Sequence, residues 1–287
     1  MNTNDNATLS IDVFVPLLRM AIEEDVGSGD ATTLSLIPEG TLATAYFTTR
    51  EDCVCCGLPI VQKLFSMLDS YVELIPQVKD GDTCLRGARL ATVRGPARAI
   101  LTGERTALNF LQRLSGVATV TRRYVEALGQ SETKLLDTRK TTPGYRLLEK
   151  YAVRMGGGCN HRMGLYDRIM IKDNHRELAK IYGDNSIEES IRLARKAYPA
   201  LLIEVEADSL DDVRHAVIGK ADIILLDNMT NKEMSEAIKM IGGTAKTEAS
   251  GGITIERLPS LGRLGLDFIS VGALTHSAPS IDIALDM

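Results

Sequence analysis

No apolar run in the 287 residues approaches the roughly 20 needed to cross a bilayer. The first ten residues have neither the basic start nor the apolar centre of a secretory signal. A soluble, cytoplasmic protein with no membrane partner is expected. Cysteine is scarce and odd in number: Cys53, Cys55, Cys56, Cys84 and Cys159. Without an export signal these read as free thiols, not a disulfide framework. Cys53-Val-Cys55-Cys56 lacks both a paired C-x-x-C and a neighbouring His, so a zinc site is not expected. No Ser-His-Asp arrangement, activated Cys or metal-binding His pair is legible, which leaves covalent catalysis little support.

Excess positive charge is also missing. The formal net charge is −5, which argues against indiscriminate nucleic-acid binding. The distribution is informative: Arg86 to Arg123 holds eight Arg against the single acid Glu104, and Arg139 to Arg176 holds nine Lys and Arg against Glu149, Asp167 and Asp173. A charge run is most simply a solvated face. These cations are interleaved with glycine-rich turns and apolar strand ends, which fits a pocket for small polyanions better.

The hydrophobic content of 44% with 25% charged residues is that of a globular chain, and its length suits one large domain plus a smaller one. Helical periodicity predicts helices over Asp12–Glu23, Leu58–Leu68 and Thr102–Leu128. On the last of these Arg105, Asn109 and Gln112 share a polar face. Ala43–Thr49 and Leu90–Val93 read as strands, giving an α/β sandwich over residues 1–118. Beyond Gly129 the runs Lys134–Asp137, Arg168–Ile171, Leu201–Val205, Ala221–Leu226, Ala245–Glu248 and Asp267–Val271 alternate with helical segments. Polar groups near Glu204, Asp227, Glu248 and Ser270 recur about every 22 residues, as in a strand-helix repeat. An α/β barrel over residues 119–274 is expected, with residues 275–287 packing back on the first domain.

Barrel enzymes carry their functional groups at the C-terminal ends of the strands and commonly hold a phosphate after the final two. Ser250-Gly251-Gly252 and Val271-Gly272-Ala273 stand there, and glycine lets backbone N–H groups approach an anion closely. Either loop taken singly could be a simple turn. Asp137-Thr138-Arg139-Lys140 places a guanidinium fork and an ammonium at a strand exit. His161-Arg162 and Lys172 extend this into a convergent cationic wall. Glu204 and Asp227, at neighbouring strand ends, would hold hydroxyls or Mg²⁺, the plain alternative being salt bridges. Glu206 and Glu248 are secondary candidates.

Taken together, Asp137-Thr-Arg-Lys-Thr-Thr-Pro-Gly144, Gly156-Gly-Gly-Cys-Asn-His-Arg-Met-Gly164, Ile171-Lys-Asp-Asn-His175, Leu226-Asp-Asn-Met229 and Glu248-Ala-Ser-Gly-Gly-Ile253 closely resemble the quinolinate phosphoribosyltransferase family. Glu104 to Gly116 and Ser270 to His276 match as well, and the resemblance runs from Glu24 nearly to the C-terminus. It implies an N-terminal α/β sandwich, a C-terminal open α/β barrel, and a homodimer or larger assembly with shared active sites. The implied reaction joins quinolinate to 5-phosphoribosyl 1-pyrophosphate with loss of CO₂ and pyrophosphate, giving nicotinate mononucleotide.

By this resemblance Arg139, Lys140, His161, Arg162 and Lys172, with Thr138, would line the quinolinate pocket, and Arg105 would reach it from a neighbouring subunit. Glu204 and Asp227 would serve the ribose hydroxyls and the Mg²⁺-bound pyrophosphate, making them catalytic with Lys140. Ser250, Gly251, Gly252, Val271, Gly272 and Ala273 would hold the 5′-phosphate. The Cys53 to Cys56 turn and Met155 depart from the family pattern without touching a matched ligand position. Alternatives are a same-fold enzyme using another acceptor, a sugar-phosphate barrel lyase or isomerase working through Lys140 or Lys172, and a silent binding protein on this fold.

Overall fold

The computed structural model describes residues 10–183 and 186–287; most of the polar start discussed above lies outside the described residues. The chain divides into two units, residues 1–119 with 278–287, and residues 120–277.

In the first unit, strands β1 (Leu42–Thr49), β3 (Glu73–Pro76), β5 (Arg89–Pro96) and β12 (Ile283–Asp286) form an antiparallel sheet in the order β12-β1-β5-β3. The short strands β2 (Cys53–Val54) and β4 (Thr83–Cys84) pair separately. Ala45, Phe47, Leu90 and Val93 are buried from β1 and β5. Helix α1 (Val15–Val26) and the short α2 (Ala31–Leu36), capped by the Asp30 carboxylate on Thr33 N–H, precede the sheet. Helix α3 (Leu58–Leu68) buries Leu58, Ile60, Val61, Leu64 and Phe65. All four cysteines here are buried, and burial pushes their thiols up, as expected of inert core residues.

Helix α4 (Ala97–Leu128) begins in this unit and contains the division between the two. Its Gly116 sits against the returning C-terminal segment, where a Cβ would meet the Pro279 carbonyl oxygen at 1.9 Å. Only hydrogen fits at that position. Gln112 Nε2 and Arg113 Nη1 donate to the Ile283 and Ala278 carbonyls, fixing the same segment.

The second unit is a parallel sheet of six strands: β6 (Lys134–Leu136), β7 (Ile169–Ile171), β8 (Ile203–Ala207), β9 (Ile223–Asp227), β10 (Lys246–Ser250) and β11 (Phe268–Ser270). Its order is β6-β11-β10-β9-β8-β7. Read as a ring, each strand follows its predecessor and only the β6–β7 junction is unpaired among the described residues. That is an open α/β barrel. Helices α5 (Arg146–Met155), α6 (Asp173–Leu178), α7 (Ser186–Ala197), α8 (Leu210–Ile218), α9 (Asn231–Ile241) and α10 (Leu258–Leu261) supply the crossovers, and α11 (Ala273–His276) follows β11.

Candidate active site

Side chains alternate across a strand, so residues two apart share a face. On β8 the inward residues are Glu204 and Glu206, whose register partners on β9 are Ile223 and Leu225. One step further, Asp227 stands opposite Ser250 of β10. Continuing this parity, Met170, Leu225, Glu248 and Ser270 point inward, and Thr138 and Lys172 follow their strands at the same end. All of them line one cavity of about 480 Å³, together with Arg139, Lys140, His161, Arg162, Glu206, Asp227, Asn228, Ser250, Gly251 and Gly252. The volume suits a small ligand.

Among the described residues, no carboxylate pairs with Arg139, Lys140 or Arg162. The Arg139 Nε is buried with no hydrogen-bond partner. Arg162 donates to the Arg168 carbonyl at 3.0 Å and contacts the Met170 sulfur; burial, with Arg139 nearby, lowers its pKa. Lys172 pairs with Glu206. Lys140 runs past Gly272, where a Cβ would lie 3.0 Å from its Cδ, and its carbonyl accepts from Thr275 Oγ1 at 2.8 Å.

Opposite in chemistry is the turn after β10. Gly251 and Gly252 have φ of +83° and +58°, and a Cβ on Gly251 would lie 2.2 Å from Asn228 Oδ1. Glycine is therefore required sterically as well as conformationally. Asn228, itself at φ +55°, donates from Nδ2 to the Asp227 carboxylate at 2.8 Å and from its N–H to the Ser250 carbonyl at 3.0 Å. It orients the acid and shapes the glycine turn together.

Beneath the cavity lies a buried charge cluster. Glu204 is 0% exposed and accepts from Arg168 Nη1 at 3.1 Å, while His161 Nε2 stands 3.3 Å from Glu204 and 3.4 Å from Glu248. His161 Nδ1 accepts from Arg162 N–H at 2.7 Å. Burial works against a charged His161 ring, but the two carboxylates outweigh it and raise its pKa to about 9. The hydrogen bond to Nδ1 opposes the second proton, so about 9 is the upper edge of the titration. Because the folded value is raised, this stabilisation is complete below the unfolded value near 6.5 and is lost as pH rises toward 9, by at most about 3 kcal/mol. Unfolding free energies measured from pH 6 to 8, below the range in which the buried thiols contribute, should fall in the wild type and fall markedly less in His161→Gln.

The expectation that Glu204 faces the mouth is corrected. Strand β8 begins two residues later than the apolar run suggests, so Glu204 lies one pleat deeper and is engaged by Arg168 and His161. Glu206 takes the mouth position. The parity that places Asp227 inward already selects the Glu204/Glu206 face; depth along the strand is what the sequence does not show. The Glu204 carboxylate meets Arg168 and His161 and does not line the cavity. Val271, Gly272 and Ala273 do not line the cavity either: Val271 is buried, its N–H bonded to the Leu136 carbonyl, and Ala273 starts α11. Ser270 lines the cavity from that strand. Arg105 is exposed on α4 in the first unit and is not among the lining residues. Asn228, Met170, Leu225 and Ser270 are additions to the expected set; of these Asn228 and Ser270 carry a sequence signal, the Asp-Asn step and the recurring polar group at a strand end.

An open α/β barrel with unpaired cations, carboxylates and a glycine turn around one small cavity defines an enzyme of anionic, phosphorylated substrates. Family models agree: residues 30–115 match the N-terminal domain of quinolinate phosphoribosyl transferase and residues 117–286 its C-terminal domain. The chain is 45% identical over 272 residues to a probable nicotinate-nucleotide pyrophosphorylase (carboxylating) of Bacillus subtilis, covering 94% of this chain and 92% of the relative. It is 40% identical over 278 residues to the corresponding pyrophosphorylase of Mycobacterium leprae, covering 94% and 95%. The crystal structure of NadC from Streptococcus pyogenes superposes with a TM-score of 0.93 at 40% identity, covering 97% of each chain. The chain belongs to the quinolinate phosphoribosyltransferase family.

Proposed function

We propose that the chain transfers the phosphoribosyl group of 5-phosphoribosyl 1-pyrophosphate to the ring nitrogen of quinolinate, with loss of pyrophosphate and CO₂, giving nicotinate mononucleotide for NAD synthesis. The observation that carries this reading is the shared cavity, in which the cations Arg139, Lys140, Arg162 and Lys172 and the left-handed Gly251-Gly252 turn line one space. Arg139 and Arg162 offer planar forks to the two carboxylates of quinolinate, with Lys140 and Lys172 as point charges. Ser250, Gly251 and Gly252 offer backbone N–H groups to the 5′-phosphate.

Transfer breaks the bond from the ribose carbon to pyrophosphate as the ring nitrogen bonds to that carbon. Positive charge grows on the sugar, and the Asp227 and Glu206 carboxylates at the mouth stabilise it and hold the ribose hydroxyls. The alkylated ring nitrogen then carries the positive charge that accepts electrons when the adjacent C–CO₂⁻ bond breaks, and a proton takes the place of the carboxylate. Asp227 and Glu206 are hard oxygen donors of the kind Mg²⁺ prefers, and would hold it largely through substrate and water. Mg²⁺ would supply neutralisation of the pyrophosphate charge.

Exposed Arg105 gives the reading a second part: a homodimer or larger assembly in which this guanidinium completes the neighbouring subunit's quinolinate site. Its location would be the cytoplasm, in keeping with five free cysteines; no helix among the described residues is long and apolar enough to cross a membrane. Arg105→Ala and Lys172→Ala are each expected to be inactive. Mixed under subunit exchange, they should regain up to about a quarter of the wild-type rate per site, as random pairing leaves some sites with both groups intact. No recovery despite proven exchange would leave Arg105 acting within its own subunit.

A further inference from the structure

The two stretches of wall that carry most of the cavity's cations are not adjacent in sequence. Thr138–Lys140 leaves the end of β6, and His161–Arg162 follows the glycine segment after α5. What joins them is a buried ion pair outside the cavity. Asp137 is 0% exposed and the Lys150 side chain 1%. Asp137 Oδ1 accepts from Lys150 Nζ at 2.5 Å and from His161 N–H at 2.8 Å, and Oδ2 accepts from Asn160 Nδ2 at 2.7 Å. Lys150 Nζ also donates to the His161 carbonyl at 3.1 Å, and Asn160 Nδ2 to the Lys150 carbonyl at 2.9 Å. The Asp137 N–H donates to the Cys159 carbonyl and the Cys159 N–H to the Leu135 carbonyl, so residues 159–161 lie alongside β6 as a parallel extension.

We propose that the Asp137–Lys150 pair, with Asn160, is a positioning element for the acceptor: it sets Thr138–Lys140 and His161–Arg162 at the separation a pyridine dicarboxylate needs. This rests on the function proposed above. Stability is a poor explanation for the pair. Burial raises the Asp137 pKa and lowers that of Lys150, against their mutual attraction, so the interior disfavours the ionised state. For the carboxylate, a folded value above the unfolded one means that ionisation costs stability at neutral pH, and that this cost falls away as pH drops through the folded value. Two apolar side chains of similar volume would fill the same space with less desolvation. They could not hold both the N–H and the carbonyl of His161, and that double grip fixes where the His161-Arg162 peptide stands relative to Arg139. Among the described residues no hydrogen bond or ion pair joins Asp137 or Lys150 to a cavity-lining side chain, so the effect of the pair is geometric.

The phosphate side of the cavity hangs on different strands, β9 and β10, which gives the test its contrast. The double variant Asp137→Asn/Lys150→Met removes both charges together, so neither is left buried alone. Binding of quinolinate and of ribose 5-phosphate is measured by calorimetry on the full-length wild type and variant, alongside steady-state kinetics and thermal melting. The expected result is a melting temperature unchanged or higher, quinolinate affinity weakened at least tenfold with a similar loss in kcat/KM, and ribose 5-phosphate affinity within twofold of wild type. Equal loss of both ligands, or unchanged quinolinate binding and turnover, would overturn the proposal. If the double variant does not fold, Asn160→Ala, at a half-buried position, decides: weakening confined to quinolinate supports the assignment and its absence overturns it. Failure of the wild type itself to bind quinolinate would instead remove the functional reading on which this rests.

Discussion

Arg139→Ala should lower kcat/KM for quinolinate by about 10² to 10³-fold, as expected for loss of a buried charge-assisted partner worth about 2–5 kcal/mol. The melting temperature should scarcely change. Arg139 has no carboxylate partner among the described residues, and its Nε is buried and unbonded, so removing it leaves no orphaned acid. Its guanidinium lines the cavity beside Lys140 and Arg162, where a carboxylate would meet a planar fork. Arg139→Lys should recover little, since an ammonium restores charge but not the paired N–H geometry. Kinetics with quinolinate varied at saturating phosphoribosyl pyrophosphate, plus a melting curve, check this. A drop in melting temperature equal to that of a core variant would show that Arg139 is structural, and full activity would remove it from the acceptor site.

The second large effect separates two glutamates on one strand. Glu204→Gln should destabilise the protein by about 3 kcal/mol, because it leaves the buried Arg168 guanidinium without its countercharge and weakens the His161 contact. Glu206→Gln should cost less than about 1 kcal/mol of stability, its partner Lys172 being partly solvated. In activity the order reverses. Glu206→Gln removes a carboxylate from the cavity mouth and should reduce kcat by about 10²-fold, the scale of losing one electrostatic group aimed at transition-state charge. Denaturant unfolding and initial rates on both variants decide the matter. If Glu204→Gln is stable and inactive while Glu206→Gln is fully active, the roles assigned by depth along β8 are reversed.

Much of the fold is legible in the sequence because its apolar periodicity is strong. Helix α3 runs over the residues its pattern indicates, and each of the six apolar runs after Gly129 overlaps a strand. Boundaries fare less well, and at β8 a two-residue displacement has a chemical consequence, since it moves Glu204 from the mouth to the floor. Side-chain alternation preserves the face through such a shift but not the depth.

The basic segment from Arg139 to Arg176 shows the other limit. As a string it is a uniform run of cations, yet the structure sorts them by partner. Lys150 is consumed by Asp137, Arg168 by Glu204, and Arg146 by Thr141 and the Met163 carbonyl, while Arg139, Lys140 and Arg162 are the cavity-lining cations of this segment without an acid partner among the described residues. A buried Lys on an amphipathic helix looks like a solvated one until its carboxylate is placed beside it. The glycine loops divide similarly. Gly251 and Gly252 take left-handed conformations at the cavity, whereas Gly272 at φ −68° serves mainly to let Lys140 pass.

The most direct measurement is formation of nicotinate mononucleotide from quinolinate, phosphoribosyl pyrophosphate and Mg²⁺, with nicotinate as the control acceptor and CO₂ followed from carboxyl-labelled quinolinate. Product and CO₂ should appear in equal amounts, from quinolinate and not from nicotinate. A folded protein that turned over neither acceptor, or that used nicotinate alone, would contradict the assignment of the cavity to a dicarboxylate.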